Sequence, residues 1–138
     1  MIGAAARSRV WPAPTVPHMY GPDVTQLFHI TERAAWEAAL RTGSYRTSTR
    51  GVSLEEQGFI HCSLTDQLRA VAEYLYADAE DLVVLVIDSE RLPVPVRYEA
   101  QDPGTEKYPH VYGAVPTSAV TDVVAVDRDP RGRMLLPE

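Results

Sequence analysis

The sequence predicts a single α+β domain: a strongly bent or split mixed sheet with two main helices. Short strand-like segments recur along the chain, and only two segments show good helical periodicity. The length of 138 residues suits one domain, since domains commonly run to ~100–150 residues. Alternation without a regular strand–helix–strand rhythm argues against a doubly wound parallel sheet.

Residues 1–25 read as an N-terminal arm, because Pro12, Pro14, Pro17 and Pro22 remove backbone donors and fix φ. The domain proper is expected over residues 26–138. Gln26–Ile30 is a strand. Thr31 is placed to cap the next helix, in which Trp36, Ala39 and Leu40 share a face, and Gly43 is its stop. Residues 46–57 are polar and read as a loop. Phe59–Ser63 is a second strand. Leu64, Leu68, Val71, Ala72 and Leu75 then recur at helical spacing. Leu82–Asp88 is apolar up to its final Asp and predicts a strand buried on both faces. Pro93 and Pro95 push the following strand, Val96–Glu99, to an edge or a late start. A loop over 101–107 leads to Tyr108–Gly113, Asp122–Val126 is the last strand, and a charged tail is expected from about residue 128.

Composition narrows the function. There are 13 Lys+Arg against 19 Asp+Glu, giving a net charge of −6, which argues against a duplex nucleic-acid binder. No apolar run approaches the ~18 residues of a membrane-spanning helix, so no membrane association is expected. Cys62 is the single cysteine, which excludes an internal disulfide and a cysteine-rich zinc site. The expectation is a cytoplasmic protein, monomeric or weakly dimeric, that takes a small-molecule ligand.

Three of the four His residues lie in strand-like segments or beside one. Alternation puts Leu27, His29 and Thr31 on one face and Phe28 and Ile30 on the other. His61 and Ser63 share a face opposite Ile60 and Cys62. An extended backbone likewise aligns Tyr108, His110 and Tyr112. A single buried His is most often a hydrogen-bonded core residue. Three polar strand faces in one small domain instead favour a shared cleft, because buried polar groups need partners.

Several chemistries compete for that cleft. His29, His61 and His110 could converge on zinc, but no local His-x-His or His-x-x-x-His spacing supports a site, and no metal is expected. Cys62 points away from His61 and suits packing better than nucleophilic attack. Ser63 lacks the Gly-x-Ser-x-Gly setting of a hydrolase elbow. Ser63 and Thr65 at the head of the best helix could receive an anion, or Thr65 could be a simple cap.

Gly58-Phe59-Ile60-His61-Cys62-Ser63, an amphipathic helix, and then Tyr108-Pro109-His110-Val111-Tyr112-Gly113 resemble a bacterial family known as domain of unknown function 952. Leu27–Thr31, the Trp36 helix, Val83–Asp88 and Val96–Glu99 fit the same pattern in the same order, so that the resemblance covers about residues 26–126. The family is similar in fold to ADP-ribosyltransferases and RNA 2′-phosphotransferases, which split a compact sheet around an NAD cleft. The resemblance implies that His29 and Thr31 contact NAD as a substrate, that Tyr45 or Tyr112 stacks on nicotinamide, and that Glu99 steadies an oxocarbenium-like ribose beside Arg97.

The expected function is therefore a nucleotide or NAD-like pocket, with an ADP-ribosyl-type transfer as its activity. His61 would orient ribose or phosphate, or act as an acid/base near a pKa of ~6.5. Two alternatives stand beside it. One is an NAD-independent isomerase or cyclase type in which His61 and His110 move protons. The other is a non-catalytic metabolite-binding module. The candidate catalytic residues are His61, His110 and Glu99; the candidate ligand contacts are His29, Thr31, Tyr45, Ser63, Arg97 and Tyr112.

Overall fold

The computed structural model describes residues 25–137. The arm expected over residues 1–25 lies outside them except for Thr25. The elements run β1 (Gln26–Glu32), α1 (Arg33–Thr42), β2 (Ser44–Tyr45), β3 (Thr47–Thr49), β4 (Val52–Ser53), α2 (Leu54–Gln57) and β5 (Ile60–His61). There follow α3 (Leu68–Tyr76), β6 (Leu82–Asp88), β7 (Val96–Glu99), β8 (Tyr108–Val111), β9 (Val115–Pro116), β10 (Val120–Ala125), β11 (Asp127–Arg128) and β12 (Met134–Leu135).

The α+β class holds, and the sheet is split. One three-stranded sheet has the order β1-β6-β10, and a second has the order β5-β8-β7. They meet at a single bridge, where Phe28 and Ser63 exchange both main-chain hydrogen bonds at 2.8 Å. The expectation of a mixed sheet is corrected: every ladder among the described strands is antiparallel. Parallel neighbours need long crossover connections.

β6 is the centre. Its Leu/Val/Ile run pairs on both edges and is buried on both faces, as its lack of alternation predicts. Leu27, Val83, Leu85 and Ile87 pack on one side with Trp36, Tyr45, Ile60, Cys62 and Val111. Phe28, Ile30, Val84 and Val86 pack on the other with Leu68, Ala72 and Tyr76 of α3. The two faces of β1 thus feed two cores, and period-two alternation read them correctly.

Several local expectations are corrected. Thr31 lies inside β1, buried, and the residue before α1 is Glu32, which forms no side-chain cap. Leu40 is 55% exposed and is not on the buried face with Trp36 and Ala39. Gly43 does end α1, with φ of 83° and its N–H on the Ala39 carbonyl. The polar stretch 46–57 is a β3–β4 hairpin followed by α2, which Ser53 and Glu56 close with a reciprocal capping box. The best helix begins at Leu68 after a 3-10 turn over Thr65–Gln67, so Thr65 caps nothing. The charged tail folds back as the β11–β12 hairpin and buries Met134 against the α3 core. Among the described residues no helix is long and apolar enough to cross a membrane.

Candidate functional site

The sheet β5-β8-β7 has one face in the core and one facing outward. Ile60, Cys62, Val111 and Val96 belong to the inner face. In antiparallel ladders, residues directly opposite share a face. Register places His61 opposite His110 and His110 opposite Arg97, so these three form a row across three strands. The Arg97–Glu99, Tyr108–His110 and His110–Tyr112 steps of two keep Glu99, Tyr108 and Tyr112 on the same side.

His110 is the best-anchored member. Its Nδ1 lies 2.8 Å from Glu99 Oε1, and the Tyr112 hydroxyl donates to that same oxygen at 2.5 Å. A carboxylate can only accept when ionised, so Nδ1 carries a proton, and in the neutral ring the lone pair is therefore on Nε2. The Tyr112 and His110 hydrogen bonds hold the Glu99 carboxyl below its usual range. Phe59 stacks on the His110 ring at 3.9 Å between centroids, 12° from parallel, which fixes the imidazole plane.

His61 differs. Its ring lies 5.4 Å from that of His110 and 5.1 Å from that of Tyr108, and its nitrogens make no hydrogen bond to another described residue. Burial, then the neighbouring His110, lowers its pKa to about 4. The expectation of an acid/base near 6.5 is thus corrected for His61. It is a neutral imidazole over the physiological range.

His61 also borders a small recess with room for about one water molecule, lined with Phe28, His29, Ile30, Thr49, Ser63, Val71 and Tyr76. This is far below the ~300–1,000 Å³ of drug-sized pockets, so as it stands it takes a single small polar group and no ring. Its floor is the open edge of β1. Phe28 turns its main-chain groups to Ser63, and Ile30, two residues on, turns its N–H and C=O the same way without a main-chain partner among the described residues.

The other sequence-derived candidates lie deeper. His29 is 3% exposed; its Nδ1 donates to the His61 carbonyl at 2.6 Å, and its Nε2 accepts from the Tyr45 hydroxyl at 2.7 Å. Burial lowers its pKa to about 4. Tyr45 is fully buried, and desolvation raises its phenol pKa, with Thr31 and Thr47 hydrogen bonding as a partial offset. His29, Thr31 and Tyr45 therefore support the β5 backbone from beneath. A ring face of Tyr45 is not open to stack on nicotinamide. The zinc reading of His29, His61 and His110 meets the same obstacle, since both His29 nitrogens are engaged. No group of three or more His, Cys, Asp or Glu among the described residues is arranged to hold a metal. Cys62 is fully buried and its thiol is pushed up to about 12.

Two structural contributors escaped the sequence reading. Gln67 is 4% exposed; it accepts from the Leu64 N–H and donates to Glu106 Oε2 and the Lys107 carbonyl. It ties the loop before Tyr108 to the head of α3. Phe59 was read only as part of a strand, and its stacking on His110 depends on a partner 51 positions away. Nothing local signals either role.

Fold and site together define a small antiparallel α+β domain that carries an imidazole–carboxylate pair on the face of a split sheet away from its core, with His110 only 8% exposed. The chain belongs to the family described as Protein of unknown function (DUF952), whose model matches residues 30–123. It is similar to the crystal structure of protein CC0527 from Caulobacter crescentus, with 30% identity and a TM-score of 0.70 over 81% of this chain and 95% of that one. The solution NMR structure of CC0527 gives 30% identity and a TM-score of 0.64, over 78% and 89% of the two chains. No curated protein matches the chain.

Proposed function

We propose that the protein is an enzyme that moves a proton on a small molecule, with His110 as the general base or acid. The carrying observation is the Glu99–His110 contact, a carboxylate at Nδ1 that leaves Nε2 free to exchange a proton. Glu99 fixes the tautomer and stabilises the imidazolium that forms when Nε2 takes a proton. Tyr112 and Phe59 hold the carboxylate and the ring in place. His61, neutral and without a side-chain hydrogen-bond partner among the described residues, supplies a hydrogen bond to the substrate at the mouth of the recess. Chemistry of this kind covers isomerisation and cyclisation, in which a proton leaves one atom and another is delivered.

Incubation with a mixture of cell metabolites in deuterium oxide tests this reading. A metabolite that gains deuterium or is consumed with the wild type, and not with His110→Gln, is the expected result. A ligand that co-purifies and returns unchanged and undeuterated would instead identify a binding module.

A second reading retains NAD as substrate, and the open edge of β1 is what favours it. The adjacent N–H and C=O of Ile30 match the acceptor and donor of a primary carboxamide such as that of nicotinamide, and the recess over them, which holds about one water, would have to open to admit the ring. His29 and Tyr45 would then act by supporting β5 from within. Glu99 and Arg97 would face the ribose side. Calorimetry with NAD separates the readings: heat that disappears on Ser63→Phe, which fills the recess, favours NAD, and no heat at millimolar NAD removes it.

A further inference from the structure

The row His61–His110–Arg97 continues past the imidazoles to a guanidinium that forms no salt bridge among the described residues, with the Glu99 carboxylate within its electrostatic reach. Arg33, Arg46, Arg50, Arg69 and Arg91 each pair with a carboxylate. Arg97, exposed on β7, forms no ion pair among the described residues, like Arg41, Lys107, Arg128, Arg131 and Arg133, but it alone of these shares a strand row with the two imidazoles. Its nearest candidate partner is Glu99, whose Oε1 already accepts from His110 and Tyr112. Arg97 instead lies over the Tyr112 ring, 5.1 Å from the guanidinium carbon to the centroid. That contact aims the side chain, because Tyr112 is itself held by Glu99.

We infer that the substrate of this site carries an anionic group, a carboxylate or a phosphate, which docks on Arg97 while the reacting atom lies over His110. The inference rests on the proton-transfer reading and names its substrate class. A planar guanidinium makes two parallel hydrogen bonds to a carboxylate or phosphate, which fixes orientation as well as position. Neighbouring strands are ~4.8 Å apart, so the row from His61 to Arg97 spans roughly 10 Å. A molecule of a few carbons reaches from the guanidinium to both imidazoles. Such an anion also suits a neutral His61, which can donate or accept a hydrogen bond without competing for the negative charge. In a chain of net charge −6, an unpaired cation beside an oriented acid/base pair marks where negative charge is accepted.

The test follows the imidazole Cε1–H resonances of His61 and His110 by NMR during titration with three probes: lactate, its neutral isostere lactamide, and inorganic phosphate. The expected result is that lactate or phosphate shifts both resonances at concentrations about tenfold lower than lactamide, a ratio equal to ~1.4 kcal/mol. Arg97→Gln should abolish that difference, and Arg97→Lys should retain part of it. Lactate alone acting identifies a carboxylate, and phosphate alone identifies a phosphate. Equal effects of all three probes, no effect of either anion, or an undiminished preference in Arg97→Gln overturns the inference. The deuterium experiment on metabolites decides the proton-transfer reading separately, because it does not depend on these probes.

Discussion

His61 and His110 stand directly opposite each other across β5 and β8, 5.4 Å apart at their ring centroids, in unequal surroundings. His110 has a carboxylate at Nδ1, and His61 has none. Two adjacent imidazoles resist double protonation, because like charges at this range disfavour each other. In the proposed function the pair divides its work: one ring is oriented to exchange a proton, and the other is kept neutral to hold substrate.

Acid should destabilise the fold before most carboxylates titrate. His29 and His61 both have folded pKa values of about 4 against 6.5 when unfolded. The unfolded chain thus binds the extra protons. Stability is fully present above pH ~6.5 and is lost as pH falls towards 4. The fully buried His29 alone corresponds to about 3 kcal/mol over that window. Urea unfolding from pH 7.5 to 4 measures it, and a flat profile would refute the burial of both rings.

Cys62→Ala should cost ~1 kcal/mol by lost packing and leave the His61 and His110 resonances unchanged. The native thiol, raised to about 12, should resist iodoacetamide until the protein unfolds. Mass spectrometry of alkylated protein checks this. Fast native alkylation would mean that the inner face of β5 is open.

Gly113→Ala should destabilise by about 1–3 kcal/mol through overpacking. A Cβ there would stand 2.6 Å from Val94 Cγ1. Val94→Ala removes that methyl but keeps the Val94 Cβ, 3.0 Å from the added carbon, so the double variant should recover part of the loss beyond simple additivity. Thermal melts of the four proteins in the cycle read the coupling, and strict additivity would show that Val94 is not the obstacle.

Gln67→Leu should leave the Lys107 carbonyl and the Leu64 N–H without their side-chain partner, at a cost of about 1–3 kcal/mol. Hydrogen exchange should quicken at Leu64 and in the 101–107 loop and remain slow in β6. Protection unchanged at Leu64 would count against the Gln67 contact.

Strand faces were legible because burial follows a period of two: Ile60 and Cys62 fell inward, His61 and Ser63 elsewhere. The continuous apolar run of β6 announced its central place. Ser53-Leu54-Glu55-Glu56 carries a capping-box signature, yet the polar stretch around it was read as loop, since two- and three-residue strands show no periodicity. Leu40 looked buried by spacing alone, although a ten-residue helix buries only Trp36 and Ala39. Polar strand faces located His61, His110 and Tyr112, whereas Glu99 and Arg97 came only from the resemblance to family 952. What spacing could not reveal was depth. His29 and Tyr45 have each other as partners, and only the folded sheet shows that their polar atoms are satisfied inside.

The most direct test of the account is the tautomer of His110, read from long-range ¹H–¹⁵N NMR correlations of its ring at neutral pH. In the neutral form of the wild-type ring the proton is predicted on Nδ1 with Nε2 bare, and Nε2–H should gain population in Glu99→Leu. A neutral wild-type ring protonated at Nε2, or a tautomer indifferent to Glu99→Leu, would contradict it.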